Sequence, residues 1–291
     1  MKYEIKICVV AYNEQDRIIE SLVHINNAIQ YSSHSYQVHI VANGCRDYTI
    51  PLCTEFCKNN SEHFILHDLQ LGDKANAWNY FTYTINNNNQ LAIYIDGDCF
   101  ISINALDDIV KTYHKNNTVN SISSYPATTG RGALNWRKHL IEQGSTPGNF
   151  YSLTPIFLNK IKAMKFKLPI GLIGDDSVLS WVCCNDLSIK NDRKKENFSH
   201  SINSLFYYER LIPNSLKNIK NYFRRLDRYS LRRFQQMCIR EYVDQNDFNT
   251  LPEKIEDIYQ FNTKVTWNKV RIDIFNIIFD IKNFLIIKRY T

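Results

Sequence analysis

The sequence predicts an α/β fold, a mostly parallel sheet flanked by helices, with a helical C-terminal extension. Three observations carry this expectation. Short β-branched apolar runs alternate with segments whose apolar residues recur at helical spacing, the pattern of repeated βαβ units. Polar and acidic residues gather at the carboxyl ends of the strand patterns, where open α/β sheets bind their ligands. From about residue 213 the strand patterns stop and helical, basic ones replace them.

Residues 4–12, EIKICVVAY, read as the first strand, and Ile18, Ile19, Leu22, Val23 and Ile25 mark the amphipathic helix that follows. The unit repeats with strands at 36–44, 63–69 and 90–98 and helices at 45–60 and 73–85. The polar run INNNNQ at 85–90 is too short to be a linker and serves only as a connection. After Asp98 the alternation fades, and residues 125–153 carry Gly, Thr, Ser and Pro as a long functional loop would. Loop shape over 120–150 and 200–215 is expected to set specificity. The division is a catalytic domain over 1–212 and a helical region over 213–291.

The 291 residues, 44% of them hydrophobic, suffice for one large domain with an appendage. A formal charge of +6 favours anionic partners such as nucleotides, phosphorylated carriers or anionic membrane surfaces. No interleaved aromatic and basic motif marks a nucleic-acid groove. The N-terminus enters a strand pattern directly, without the apolar core of a signal peptide, so the eight cysteines are expected reduced in a cytoplasmic setting. Neither Cys53 with Cys57 nor Cys183 with Cys184 has paired CxxC zinc spacing, and both pairs read as small buried hydrophobes. No segment approaches the roughly 18 consecutive apolar residues that cross a bilayer.

Asp96 and Asp98 end the strand LAIYIDGD one residue apart. Alternate strand residues point the same way, so two carboxylates meet at one sheet edge and repel unless a cation joins them. Mg2+ or Mn2+, with substrate phosphates completing its shell, would remove the conflict. The other reading is a polar Asp-Gly turn. A second acidic pair, Asp175 and Asp176, opens a helix pattern, where the carboxylates serve either as caps or as a general base.

An ordered set of motifs, VVAYNE (9–14), VANGCRDYT (41–49), GDKANAWN (72–79), YIDGD (94–98), GNFYSLTPIFLNKI (148–161) and GLIGDDSVLS (171–180), resembles the family 2 glycosyltransferases of the GT-A fold over roughly residues 4–230. The resemblance implies a GT-A-type, Rossmann-like sheet. It implies that Ala11, Tyr12, Glu14 and Asn43 border a nucleotide pocket, with Asn43 toward the base, and that Lys74 contacts the nucleotide or donor. A plain turn at Asn43-Gly44 and a solvated helix-start lysine are the other readings of those positions. Asp96 would approach ribose and metal, and Asp98 would bind the metal bridging the diphosphate. Matching the family's Gly-Glu-Asp motif makes Asp176 the base of a single, inverting displacement and Asp175 its neighbour.

Arg224, Arg228 and Arg232 share one helical face, with Arg225 and Arg233 beside them, which reads as a solvated basic face. The family's Gln-x-x-Arg-Trp motif aligns with Tyr222, Arg225 and Leu226, keeping only Arg225, which would support acceptor and leaving diphosphate. That departure, with no membrane spans, argues for transfer of a single sugar over processive polysaccharide synthesis. The tail 270–291 forms a helix with a polar stripe of Asp273, Asn276, Asp280 and Asn283 against a broad apolar arc. It either docks on the catalytic domain or lies on a membrane surface with Arg271 and Lys282 snorkelling and Lys288-Arg289 meeting head groups.

The expected activity is therefore inverting, metal-dependent transfer from a nucleotide sugar, a UDP-sugar by preference, to a glycan or lipid-linked glycan. Its setting is the cytoplasm or the cytoplasmic face of a membrane. A nucleotidyltransferase would also use paired carboxylates and a metal, but AYNEQDRI lacks a Gly-rich basic phosphate loop. A silent, binding-only module would have no evident need for both acidic pairs.

Overall fold

A computed structural model describes residues 5–86, 90–127, 131–208, 214–261 and 263–290. The expected boundary at 212/213 and the centre of the 85–90 connection lie outside the described residues. The strands are β1 (Ile5–Ala11), β2 (Tyr36–Asn43), β3 (Phe64–Leu69), β4 (Leu91–Asp96), β5 (Phe100–Ile101), β6 (Ser121–Pro126), β7 (Phe150–Leu153) and β8 (Phe198–Tyr207). The helices are α1 (Ile18–Tyr31), α2 (Thr49–Asn59), α3 (Lys74–Tyr80), α4 (Ala105–Lys115), α5 (Arg131–Gln143), α6 (Pro155–Ala163), α7 (Asp175–Cys184), α8 (Leu216–Asn246), α9 (Glu256–Tyr259) and α10 (Ile277–Lys288).

The strands form one mixed sheet in the order β3-β2-β1-β4-β7-β6-β8-β5. Its first half is the parallel unit read from the sequence, with β1 between β2 and β4 and β3 at the edge. In the second half β7 runs antiparallel between β4 and β6, β8 pairs parallel to β6, and the two-residue β5 closes the far edge antiparallel to β8. Alternation along β1 explains the two cores: Ile7 and Val9 pack on one face with α1, α2 and α4, and Cys8 packs on the other with α3, α6, α7 and α8. The central strand β4 is buried along both faces until Asp96.

Two expectations change here. The stretch after Pro126 is not loop throughout, because Ala133, Trp136 and Leu140 at helical spacing turn inward along α5. Nor does the C-terminal region stay helical to its end. Helix α8 stops at Asp247, whose φ of 69° is left-handed. The chain then runs through short turns and α9, with Pro252 unable to donate to a helix, before α10 begins.

The tail differs most from expectation. Asp273 and Asn276 precede α10, where the Asn276 backbone NH and amide donate to the Asp273 carboxylate. Asp280 and Asn283, the rest of the polar stripe, are turned inward and buried. Ser230 and Arg233 of α8 donate to Asp280 at 2.6 Å each, and Arg271 donates at 2.9 and 3.0 Å. Arg271 and Lys282 are thus ion-paired, to Asp280 and Asp227 respectively, and neither is extended as a snorkelling side chain. All eight cysteines are free, six of them buried. Among the described residues no helix is long and apolar enough to cross a membrane.

Candidate active site

The carboxyl ends of β1, β2 and β4 meet at one edge of the sheet. Asp96 closes β4 opposite Val10, and the Gly97 NH donates to the Val10 carbonyl at 2.8 Å. A Cβ on Gly97 would stand 3.1 Å from that carbonyl and 3.2 Å from Ala11 Cα, so a side chain there would press on the backbone of β1. The Cys99 NH returns to the Asp96 carbonyl at 3.0 Å. The Asp-Gly-Asp segment is both a tight turn and a pair of carboxylates.

The β1–α1 loop forms the adjacent wall, locked to the loop after β2. The Glu14 NH donates to Thr49 Oγ1 at 2.7 Å, and the Arg46 NH donates to Asn13 Oδ1 at 2.7 Å. Burial, reinforced by the charge of Asp98 and opposed by Arg17, raises the Glu14 carboxyl from 4.5 to about 8. Arg17 Nη1 also lies 3.9 Å from Asp98 Oδ2. Tyr12 is 47% exposed, its ring beside Gly72. Asn43 is almost wholly buried and donates its amide to the Ala11 carbonyl at 2.8 Å. That bond pins the ends of β1 and β2 together.

Lys74 joins the two acidic pairs. It begins α3, whose N-cap is Asp73: Asp73 Oδ1 accepts from the Asn76 NH at 2.7 Å, and Oδ2 accepts from the Gly171 NH at 2.8 Å. The lysine Nζ lies 2.7 Å from Asp96 Oδ1 and 3.6 Å from Asp175 Oδ2, and donates to the Gly148 carbonyl. Burial works against the ammonium charge, but Asp175 and Asp96 outweigh it and hold Lys74 above its usual pKa. Burial lifts Asp96 to about 6 even against the pull of Lys74, with Asp98 adding to the rise. Among the described residues the buried Asp175 Oδ2 has no hydrogen-bond partner.

Asp175 and Asp176 open α7 behind Gly174, where the helix dipole favours negative charge. Burial and Asp175 push the Asp176 carboxyl up, while Arg232 and Lys74 pull it down. Arg232 Nη2 stands 3.1 Å from both Asp176 oxygens and also donates to Ser177 Oγ. Its guanidinium lies over Gly174 (φ 88°), where a Cβ would fall 2.4 Å from Arg232 Nε. Gln235, one turn further along α8, accepts from the Ile173 NH and donates to the Gly171 carbonyl, holding the loop that presents the pair. Beside Asp176 opens a cavity of about 640 Å³, lined in part by Trp136, Thr146, Trp181, Arg193, Arg232 and Arg240.

The structure therefore brings together Glu14, Lys74, Asp96, Asp98, Asp175 and Asp176, with Ala11, Tyr12 and Asn43 in the wall. It does not bring in Arg225, which is exposed on α8 and touches none of these carboxylates among the described contacts. Arg232 occupies the cationic position instead, two turns later, and so leaves the solvated face to which the sequence assigned it. Asp73, Gln235 and Arg232 are the residues that sequence reasoning missed. Asp73 had a local signal, an acid directly before a helix pattern; the other two act across distances in sequence that no local pattern reports.

The donor set suits a hard divalent cation. Asp96 and Asp98 offer carboxylate oxygens at one strand end, and of the causes that raise Asp96, burial first and the charge of Asp98 second, a cation would offset the second. No group of three or more His, Cys, Asp or Glu able to hold a metal occurs among the described residues, so phosphate or water oxygens would have to complete the shell.

A family model described as Glycosyl transferase family 2 matches residues 6–171, more than half of the chain, ending just before the second acidic pair. No curated protein sequence matches. Among solved structures, the chain is similar to the mannosyltransferase PcManGT from Pyrobaculum calidifontis in complex with GDP-Man and Mn2+. The TM-score is 0.59 at 13% identity, over 97% of this chain and 74% of that one. It is also similar to S. aureus TarS 1-349 in complex with UDP-GlcNAc, with a TM-score of 0.51 at 13% identity, over 90% of this chain and 71% of that one. At these identities the likeness is one of fold.

Proposed function

The chain belongs to glycosyl transferase family 2, and from that premise we propose that it is an inverting, divalent-metal-dependent glycosyltransferase. It moves one sugar from a nucleotide sugar, UDP-linked by preference, to a hydroxyl of a glycan or lipid-linked glycan. The observation that carries this reading is the Lys74 bridge. By touching Asp96 and Asp175 it sets a diphosphate-binding end and a proton-accepting end at a fixed separation.

Tyr12 and Glu14 border the base and ribose, and Asn43 with Ala11 keeps that wall rigid. Asp96 and Asp98 would hold Mn2+ or Mg2+, which supplies positive charge to the departing nucleoside diphosphate. Lys74 adds its ammonium on the same side. Asp176 accepts the acceptor hydroxyl's proton as the oxygen attacks the anomeric carbon from the face opposite the diphosphate. Arg232 holds the carboxylate in place and opposes the upward pull that burial exerts on its pKa. The cavity beside Asp176 is where the acceptor enters. PcManGT and TarS, bound to GDP-Man and UDP-GlcNAc, support a nucleotide-sugar donor and leave the nucleotide to experiment.

The test is release of nucleoside diphosphate from a panel of UDP- and GDP-sugars, with and without Mn2+ or Mg2+. Turnover should need the metal and fall sharply in Asp98→Asn and Asp176→Asn. Wild-type turnover in both variants would show that the reaction runs elsewhere.

A further inference from the structure

The α8–α10 hook buries polar groups at its seam and leaves a cluster of large apolar side chains exposed. Helix α10 buries Asp280 and Asn283 against α8. Ile287 is buried with them and Ile281 and Phe284 pack against the core, but Ile278 and Leu285 of α10 and the segment leading into it face outward: Ile272 is 86% exposed, Ile274 82%, Phe275 64% and Ile278 72%. The N-terminal half of α8 adds Leu216, 87% exposed, and Phe223, whose ring lies 6.3 Å from Phe279 and so joins the two elements into one face. Lone exposed apolar residues need no explanation, but a cluster of this size marks an interaction surface.

The charge around this face identifies what covers it. Residues 213–291 hold 15 Lys and Arg against nine Asp and Glu, which is the whole formal charge of +6, while residues 1–212 are balanced. Lys220, Arg224, Arg225 and Arg228 stand exposed along the same half of α8. A second copy docked face to face would set these rows of like charge against each other. An anionic lipid surface takes both features at once: apolar side chains enter the boundary between head groups and acyl chains while the arginines meet lipid phosphates.

We propose that the face formed by Leu216–Arg228 of α8 and Ile272–Ile278 docks on the surface of an anionic lipid bilayer. Phe223 and Arg232 are nine residues apart on one helix, roughly 14 Å at a 1.5 Å rise, so docking holds the Asp176 cavity close to the lipid head groups. This deepens the transferase reading, on which it rests for its purpose, by naming the surface that presents a lipid-linked acceptor.

The experiment is co-sedimentation of the full chain with vesicles of phosphatidylcholine and phosphatidylglycerol, against phosphatidylcholine alone. Binding should need phosphatidylglycerol and weaken with salt. It should drop by about tenfold or more in Ile274→Glu/Phe275→Glu and in Arg224→Glu/Arg228→Glu. These side chains are exposed, so both variants should melt as the parent does and still release nucleoside diphosphate with a soluble acceptor. Asp176→Asn should sediment like the wild type, so vesicle binding stands or falls separately from the transferase assignment. No sedimentation of the wild type, or equal sedimentation of the glutamate variants, overturns the proposal. So does a dimer in light scattering that the same variants abolish without any vesicle binding, which would assign the face to a second copy.

Discussion

Two clusters of buried charge, one met by Arg232 of α8 and the other by Ser230 and Arg233 of the same helix, are built in opposite ways. In the cleft, Asp96, Asp98, Asp175, Asp176 and Glu14 outnumber the cations that face them, and burial pushes Glu14, Asp96 and Asp176 upward in pKa. In the hook, the single carboxylate of Asp280 faces Ser230, Arg233 and Arg271. Burial opposes its charge, but the hydrogen bonds from Arg271 and Ser230 outweigh it and hold Asp280 down at about 2. A carboxylate with every oxygen satisfied is a staple. A group of carboxylates left short of partners is waiting for a cation or a proton, and that difference separates a site from a support.

The sharpest test exchanges the two roles. Asp176→Asn is expected to lower kcat/KM about 10³-fold through loss of the base, with the melting temperature near that of the parent. Asp280→Asn should do the reverse, costing about 3 kcal/mol or more of stability by leaving Arg233 and Arg271 around a neutral group, while the folded fraction still turns over. Denaturant unfolding and steady-state kinetics on both variants decide. Asp280→Asn matching wild-type stability would remove the contrast.

A smaller effect is expected at the residue that serves the cleft from the hook's helix. Arg232→Met should reduce kcat/KM about tenfold to a hundredfold, and, because the arginine pulls the Asp176 pKa down, its removal should move the acidic limb of the kcat/KM profile to higher pH. A uniform loss at every pH would mean that Arg232 only packs.

The clusters should also respond oppositely to pH. Glu14, raised from 4.5 to about 8, binds protons more tightly when folded, so its contribution is full below about pH 4.5 and is lost as pH rises toward 8. Asp280, lowered from 3.8 to about 2, contributes above pH 3.8, and that stability is lost as pH falls toward 2. Glu14→Gln should therefore flatten the decline in unfolding free energy between pH 5 and 8, by about 2 kcal/mol once its partial solvent contact is allowed for. An unchanged slope would place the titration elsewhere. The smallest effect belongs to Asp73→Ala, about 1 kcal/mol for the lost cap of α3, together with a raised KM for the donor as Lys74 loosens.

Legibility followed range. The parallel half of the sheet, the strand-end residues and both acidic pairs could be read directly, since period-2 and period-3.6 patterns are properties of neighbours in sequence. The antiparallel β7 between β4 and β6 could not be read, because nothing in FYSL says which strand it will join. Motif alignment points to Arg225 and not to Arg232, although both lie on one helix two turns apart. What separates them is Gly174, 58 residues before Arg232, whose missing side chain leaves room for one guanidinium over the start of α7.

By itself the sequence determined that strands and helices would alternate around an edge bearing Glu14, Asp96 and Asp98, because local spacing dictates both an element's type and where its polar end falls. It also determined that α10 would have one polar and one apolar side. Only the tertiary structure decided which side turns inward. Helical spacing groups residues on a face but carries no information about what that face will meet. Here Arg233 and Arg271 hold Asp280 in the interior beside Ile287, while Ile278 and the apolar segment before the helix are left exposed.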